Sequence, residues 1–359
     1  MFEEFFRHPA LKTRAFAWLT VAVLVLLSLA TAGLQAWVVG WYGVFYNTLQ
    51  SAATAESEAA LESGRAAVTS KLWQFALVAM PWAAVGPFAA FFRRHFCFSW
   101  RMSLVEAYMD RWKNAGVVPE GASQRVQEDT TRFSSGVELF TGRVLNGILS
   151  LCIFLPQLLL HGQTFRPPAF VPSLLAGRAW LVLLAAALAF LSWLLSALIA
   201  APLVEIEVSN QRVEAALRKK LVIDEDAPRA GGIAAGHSVL LRSLRRNYRA
   251  LYCNLLWVDE WLDVSTQAML ILPMALGASQ MFAEAEARAS LGELVQLNSV
   301  FQTVFKAFSL PASSWAEVQD FRSVVRRLQQ FECSTRAGVV TGAGSEAVGS
   351  HEGNQRLML

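Results

Sequence analysis

The chain has 359 residues, 54% of them hydrophobic and only 16% charged, with a formal net charge of +3 and a mean hydropathy of +0.37. Soluble domains carry about 25% charged residues, so this composition excludes an ordinary soluble protein. The small positive balance is explained by basic residues flanking membrane spans, and no nucleic-acid partner is expected.

From the N-terminus, no Asp, Glu, Lys or Arg occurs between Arg14 and Glu56. Ala15 to Val39 outlasts the roughly 7–15-residue core of a secretory signal and reads as a retained span. Uncharged runs follow at Leu72–Phe92, Val144–Phe165, Ala179–Val204 and Val264–Ala283. Each is near or above the roughly 20 residues that a helix needs to cross hydrocarbon. A sixth run, diluted by Gln296, Asn298, Gln302 and Lys306, suffices if one face lines protein or water. Six spans are therefore predicted, at about 15–39, 72–92, 144–162, 179–204, 264–283 and 294–316.

Between them, Ser51–Ser70 is Ala/Glu/Ser-rich and predicts a helical hairpin extension, whereas Pro167, Pro168 and Pro172 make 161–178 irregular. The stretches from Arg93 to Arg143 and Glu205 to Arg249 are polar yet helix-prone, broken chiefly at Pro119, Gly121, Pro228 and Gly231–Gly232. Spans 2 to 5 should therefore continue as long helices beyond the membrane. Those two stretches hold eight and nine basic residues, against only Arg65, Lys71, Arg166, Arg178 and Arg288 on the other side. The stretches are placed in the cytoplasm, with both termini.

The expected fold is all-α: a polytopic membrane protein with six transmembrane helices and long intracellular helical extensions, in the outline of an ABC-exporter-like transmembrane domain. One transporter domain is expected over 1–335 and a disordered tail, rich in Gly, Ser and Ala, over 336–359. No GxxxxGK[ST] occurs, so no phosphate cradle for ATP is seen. Cys97, Cys152, Cys253 and Cys333 form no CxxC pair, and the five histidines form no HxxxH or HExxH pattern. No metal, cofactor or enzymatic constellation is expected.

Two intracellular segments resemble a known family. Glu120-Gly-Ala-Ser-Gln-Arg-Val-Gln-Glu-Asp-Thr130, continuing through Arg132-Phe133 to Glu138, is similar to the SbmA/BacA peptide-antibiotic uptake transporters, and so is Asn210-Gln-Arg-Val-Glu-Ala-Ala216 with Arg218-Lys219, Leu221-Val222 and Glu225-Asp226. Weaker echoes are Trp41-Tyr42 with Phe45-Tyr46, Trp100-Arg101 with Tyr108, Asn247-Tyr248, Ser314-Trp315, and Arg327-Leu328 with Phe331-Glu332. The resemblance implies a homodimer without nucleotide-binding domains in a bacterial inner membrane. Such a dimer imports peptides and peptide-like antibiotics on the proton gradient. The chain departs from the family pattern in lacking an extra N-terminal helix and in placing Asn47 where an acid is expected.

Glu207, Glu214 and Glu225 are 7 and 11 residues apart, which at 100° per residue returns each to nearly one azimuth. A continuous helix would hold them on a stripe about 27 Å long. In a partly dry cavity such carboxyls bind protons more readily. Spacing alone equally allows solvated helix acids, with Glu214 paired to Arg218 and Arg125 to Asp129. The resemblance implies a transport role for Glu138, Glu214 and Glu225; Glu128 and Glu207 are further proton-coupling candidates. Asp259, Glu260 and Asp263 read as solvated acids beside span 5. Among the aromatic residues near the spans, including Trp18, Trp41, Trp180 and Trp193, interfacial anchoring and packing are the simpler roles. A transmembrane subunit driven by a separate ATPase is the alternative function, with Asp224–Pro228 as its coupling segment.

Overall fold

The computed structural model describes residues 2–114, 121–168, 172, 176–226, 233–282, 288–314 and 317–335, with side chains except at 2, 224–226, 233–237 and 312. The expected tail over 336–359 and the breakers Pro119, Pro228 and Gly231–Gly232 lie outside these residues. Every regular element described is helical. In order these are α1 (Phe2–Phe6), α2 (Leu11–Ala53), α3 (Glu58–Lys113), α4 (Ala122–Gln124), a π-helical turn (Arg125–Asp129), α5 (Thr130–Thr164), α6 (Trp180–Ala200), α7 (Leu203–Asp226), α8 (Ile233–Met281) and α9 (Leu291–Ser313). Residues 317–335 form α10.

Among the described residues, five helical stretches are long and apolar enough to cross a membrane: Leu11–Ala53, Glu58–Lys113, Ala122–Thr164, Trp180–Ile223 and Ser238–Met281. Each outruns the roughly 20 residues of a simple crossing, so the polar extensions continue the membrane helices. The sixth run forms the 23-residue α9, three residues earlier than expected at both ends, and its polar side chains keep it from matching the other five in apolarity. The fourth run ends at Ala200, where a turn at Ala201–Pro202 opens α7. The hairpin at 51–70 forms as expected, with Ser57 capping α3 by accepting from the Ala60 N–H at 3.3 Å. Helix α5 reaches Thr164, shortening the irregular 161–178 connection.

The chain divides into two compact units. The first comprises Met1–Gln157, Ser290–Gln296 and Leu310–Leu359. Here α2 packs along α3, and an aromatic core gathers where their polar ends meet α1, α5 and α10. Phe5 is fully buried, stacked on Trp100 with ring centroids 5.6 Å apart. Phe133 meets Trp100 edge-on at 5.3 Å, and Phe321 stacks on Phe133 at 5.6 Å. Gly136 allows this, since a Cβ there would collide with the Phe321 ring. At the other end of α2, the start of α9 docks on small residues: Asn47 Oδ1 accepts from Gly292 N–H at 2.8 Å and Gln296 Nε2 donates to Gly40 O at 3.2 Å. Ser290 and Glu293 form a reciprocal capping box at that start, with Ser290 N–H donating to Glu293 Oε2 at 2.8 Å and Glu293 N–H to Ser290 Oγ at 3.2 Å.

The second unit comprises Leu158–Ala289 and Leu297–Ser309. Helix α8 packs along both α6 and α7, tied by Trp261 Nε1 to Ser192 O at 3.3 Å, Asn254 Nδ2 to Ile199 O at 3.1 Å and Asn247 Nδ2 to Ser209 Oγ at 2.9 Å. Trp180 is buried and donates to Phe165 O at 3.0 Å, a packing role rather than an interfacial one. Leu297, Val300, Phe301 and Val304 on α9 are fully buried.

Truncating Phe5 removes the ring that joins α1 to the core. Phe5→Ala is expected to destabilise the first unit by about 3 kcal/mol. The checks are a lowered thermal unfolding midpoint in detergent and earlier protease cleavage of the N-terminal segment.

Candidate functional site

The segment that carries the stronger resemblance folds around one buried carboxylate. Gly121 adopts φ +68° and turns the chain into α4, a left-handed conformation that glycine adopts without a Cβ penalty. The π-helical turn then rotates Asp129 inward, where it is only 2% exposed. Two guanidiniums reach it. Arg327 of α10, 198 positions along the chain, donates from Nε at 3.1 Å to both carboxylate oxygens and from Nη2 at 2.8 Å to Oδ1. Arg125 donates from Nη1 to Oδ2 at 2.8 Å, as its i,i+4 spacing predicted. Asp129 lies well before the apolar run that opens at Val144. Burial acts to raise its pKa, but the hydrogen bonds from Arg327 and Arg125 outweigh burial and hold the carboxyl below its usual value. The same bond raises the pKa of Arg327 further.

Around this pair lies a polar cleft of about 270 Å³, lined by Gln124, Arg125, Glu128, Asp129, Arg132 and Arg327. Glu128 accepts from Arg132 at 2.7 Å and from Gln124 at 3.1 Å. Glu138, ten residues further along, is half-buried and accepts from Arg94 Nε at 3.3 Å. The structure thus places Glu128 and Glu138 in the first unit, each beside a cation.

In the second unit, α7 is continuous to Asp226, as the stripe requires. Glu207 and Glu214 are both exposed. Glu207 accepts from Gln211 at 3.5 Å. Glu214 accepts a short hydrogen bond from Tyr248 of α8, not from Arg218, and this bond raises the Tyr248 pKa. Both acids therefore have neutral partners. Asn210, at i+3 from Glu207 and i−4 from Glu214, is 3% exposed, with neither amide atom hydrogen-bonded among the described residues. The side chain of Glu225 lies outside the described residues. Asp259, Glu260 and Asp263 are exposed along the continuous α8.

Sequence reasoning missed the Arg327–Asp129 pair. Both residues stood in segments that carry the resemblance, but no local spacing links them. It also missed a second tie at the same end. Tyr108 is fully buried and donates to Glu332 Oε1 at 3.0 Å, and Arg111 reaches both Glu332, at 3.5 Å, and Glu4. Near the other end of α2, Trp41 stacks on Phe45 at 4.6 Å and donates to Lys71 O at 3.2 Å. Trp41 of the Trp-Tyr…Phe-Tyr segment, which lies within α2, thereby packs against α3, where it also meets the Phe75 ring.

A family model described as the SbmA/BacA-like family matches residues 11–336. The chain belongs to the SbmA/BacA-like family. The match covers every long helix described above and both glutamate-bearing segments. Membership makes the chain a multi-pass membrane protein of a transporter family.

The ion pair carries a pH signature. A carboxyl whose folded pKa is lowered contributes stability that is fully present above its unfolded value of about 3.9 and is lost as pH falls through the folded value. Asp129→Asn leaves Arg327 without its counter-ion and is expected to destabilise the protein by about 3 kcal/mol at neutral pH. Thermal melts from pH 7 downward should converge for wild type and variant only below the ordinary carboxylate range.

Proposed function

We propose that the protein imports peptides and peptide-like antibiotics across the bacterial inner membrane as a homodimer driven by the proton gradient, with both termini cytoplasmic. The observation that carries this reading is the family match over 11–336. It takes in the segments whose glutamates the resemblance assigns to transport. In this reading 1–335 is one transporter domain, α9 is the sixth span and the exporter-like arrangement is completed by a second copy. Support for α9 comes from its buried inner face, because a helix packed against protein can cross a membrane without being apolar all round.

Glu207 and Glu214 support the coupling role by their surroundings. They are open to water and bonded to neutral groups, so a proton can arrive or leave without breaking an ion pair.

Uptake of a fluorescent proline-rich peptide into cells lacking their own importer tests the reading. A protonophore should abolish accumulation while cellular ATP is maintained; persistence would refute proton driving. Glu138→Gln, Glu214→Gln and Glu225→Gln should each reach the membrane and bind peptide yet lose gradient-driven accumulation, since Gln keeps volume and hydrogen bonding but not the titratable site. Glu58→Gln, at the exposed first turn of α3, should transport as wild type.

A further inference from the structure

On the first unit an apolar groove of about 540 Å³ runs between α2, α3 and α5, lined among others by Leu24, Val25, Phe96, Phe140, Val144 and Ile148. Its floor is buried, with Leu24 and Phe96 at most 5% exposed, while Val25, Val144 and Ile148 on its rim are 37–54% exposed. Three apolar runs meet here. The groove lies near the start of the first, just past the end of the second and at the start of the third. Because successive crossings alternate in direction, these three places share one face of the membrane. The basic stretches identify that face as cytoplasmic.

A cation lies beside the groove lining. Arg93 lies one helical turn before Phe96, and its guanidinium rests against Gly142, where an added Cβ would be 3.0 Å from Nη1. Gly142 follows Thr141, itself part of the groove lining. Neighbouring guanidiniums are neutralised within the unit: Arg94 by Glu138 and Arg143 by Glu317, the latter at 3.0 Å. Arg93 has no carboxylate partner among the described residues, and its Nε is buried without a hydrogen bond. Arg93 is half-buried, and a buried guanidinium nitrogen without a partner favours a nearby anion. At the lipid interface the available counter-ion is a headgroup phosphate.

We propose that this groove is a binding site for an anionic phospholipid of the inner leaflet, with one acyl chain between α2, α3 and α5 and the headgroup phosphate on Arg93. The occupant follows from the chemistry on both sides of the rim. An apolar slot of this kind suits a hydrocarbon chain, and the charge beside it suits a phosphate. The proposal does not depend on the import reading, and of the candidate coupling carboxylates Glu138 stands nearest, one helical turn before Thr141 and paired with Arg94 rather than Arg93. A bound lipid would tie α2, α3 and α5 together at the membrane face.

Native mass spectrometry of the delipidated full-length protein, titrated with phosphatidylglycerol or phosphatidylcholine, tests this. Wild type should retain phosphatidylglycerol with roughly fivefold higher apparent affinity. Arg93→Gln should lose that preference and keep residual binding of both lipids, whereas Val144→Trp, which fills the groove, should weaken both. Arg65→Gln, an equal loss of charge on the exposed first third of α3, should behave as wild type. Equal retention of the two lipids by wild type, an unchanged preference in Arg93→Gln, or unchanged binding in Val144→Trp would each overturn the proposal. So would the absence of lipid from a dimer that covers the groove. Should Arg93→Gln fail to fold, the wild-type lipid comparison and Val144→Trp decide the matter.

Discussion

A chain in hydrocarbon has no water to satisfy its backbone, so each crossing must close its own hydrogen bonds as a helix. Here that constraint reaches beyond the membrane. Helices of 43, 56 and 49 residues carry the crossing geometry into polar sequence without interruption, so the registers of the polar ends are continuous with those of the spans. Prolines inside α3, α5, α8 and α9 do not end these helices. The polar ends are then free to collect the charged residues that the apolar runs exclude.

What those ends need is a means of holding together, since long helices touching only along apolar seams would slide. In the first unit the solution is aromatic packing closed by ion pairs. Trp100 takes Phe5 on one face and Phe133 on its edge, while Asp129 draws Arg125 and Arg327 inward. The π-helical turn is what makes the second contact available. By widening the helix for five residues it turns Asp129 into the core and leaves Glu128, its sequence neighbour, on the cleft.

Much of this was legible in the sequence, and the reasons are physical. Charge-free runs, the 51–70 hairpin, the polar helical extensions and the Arg125–Asp129 pair all rest on local periodicity, which a single chain displays. Long-range convergence is not displayed. Nothing in the spacing of Asp129 and Arg327 tells that they meet, nor that Tyr108 finds Glu332, nor that Asn47 caps α9. The ambiguity of the sixth run has the same origin. A helix with one buried face and one polar face reads as diluted, because sequence hydropathy averages over both.

The carboxylates separate by the charge of their partners, and this separation bears on which of them could carry protons. Asp129 is enclosed by two guanidiniums and held ionised, so protonating it would break the contact that seats α10; it is suited to structure. Glu128 and Glu138 each face one arginine, and a proton gained there would release a cation. Glu207 and Glu214 face an amide and a phenol. A proton added to Glu214 can be accommodated by reversing the hydrogen bond, with the carboxyl donating to the Tyr248 oxygen, and no charge is left stranded. Under the proposed coupling, α7 is therefore the place where protonation can cycle at least structural expense, and the glutamates of the first unit are the places where it would move a cation.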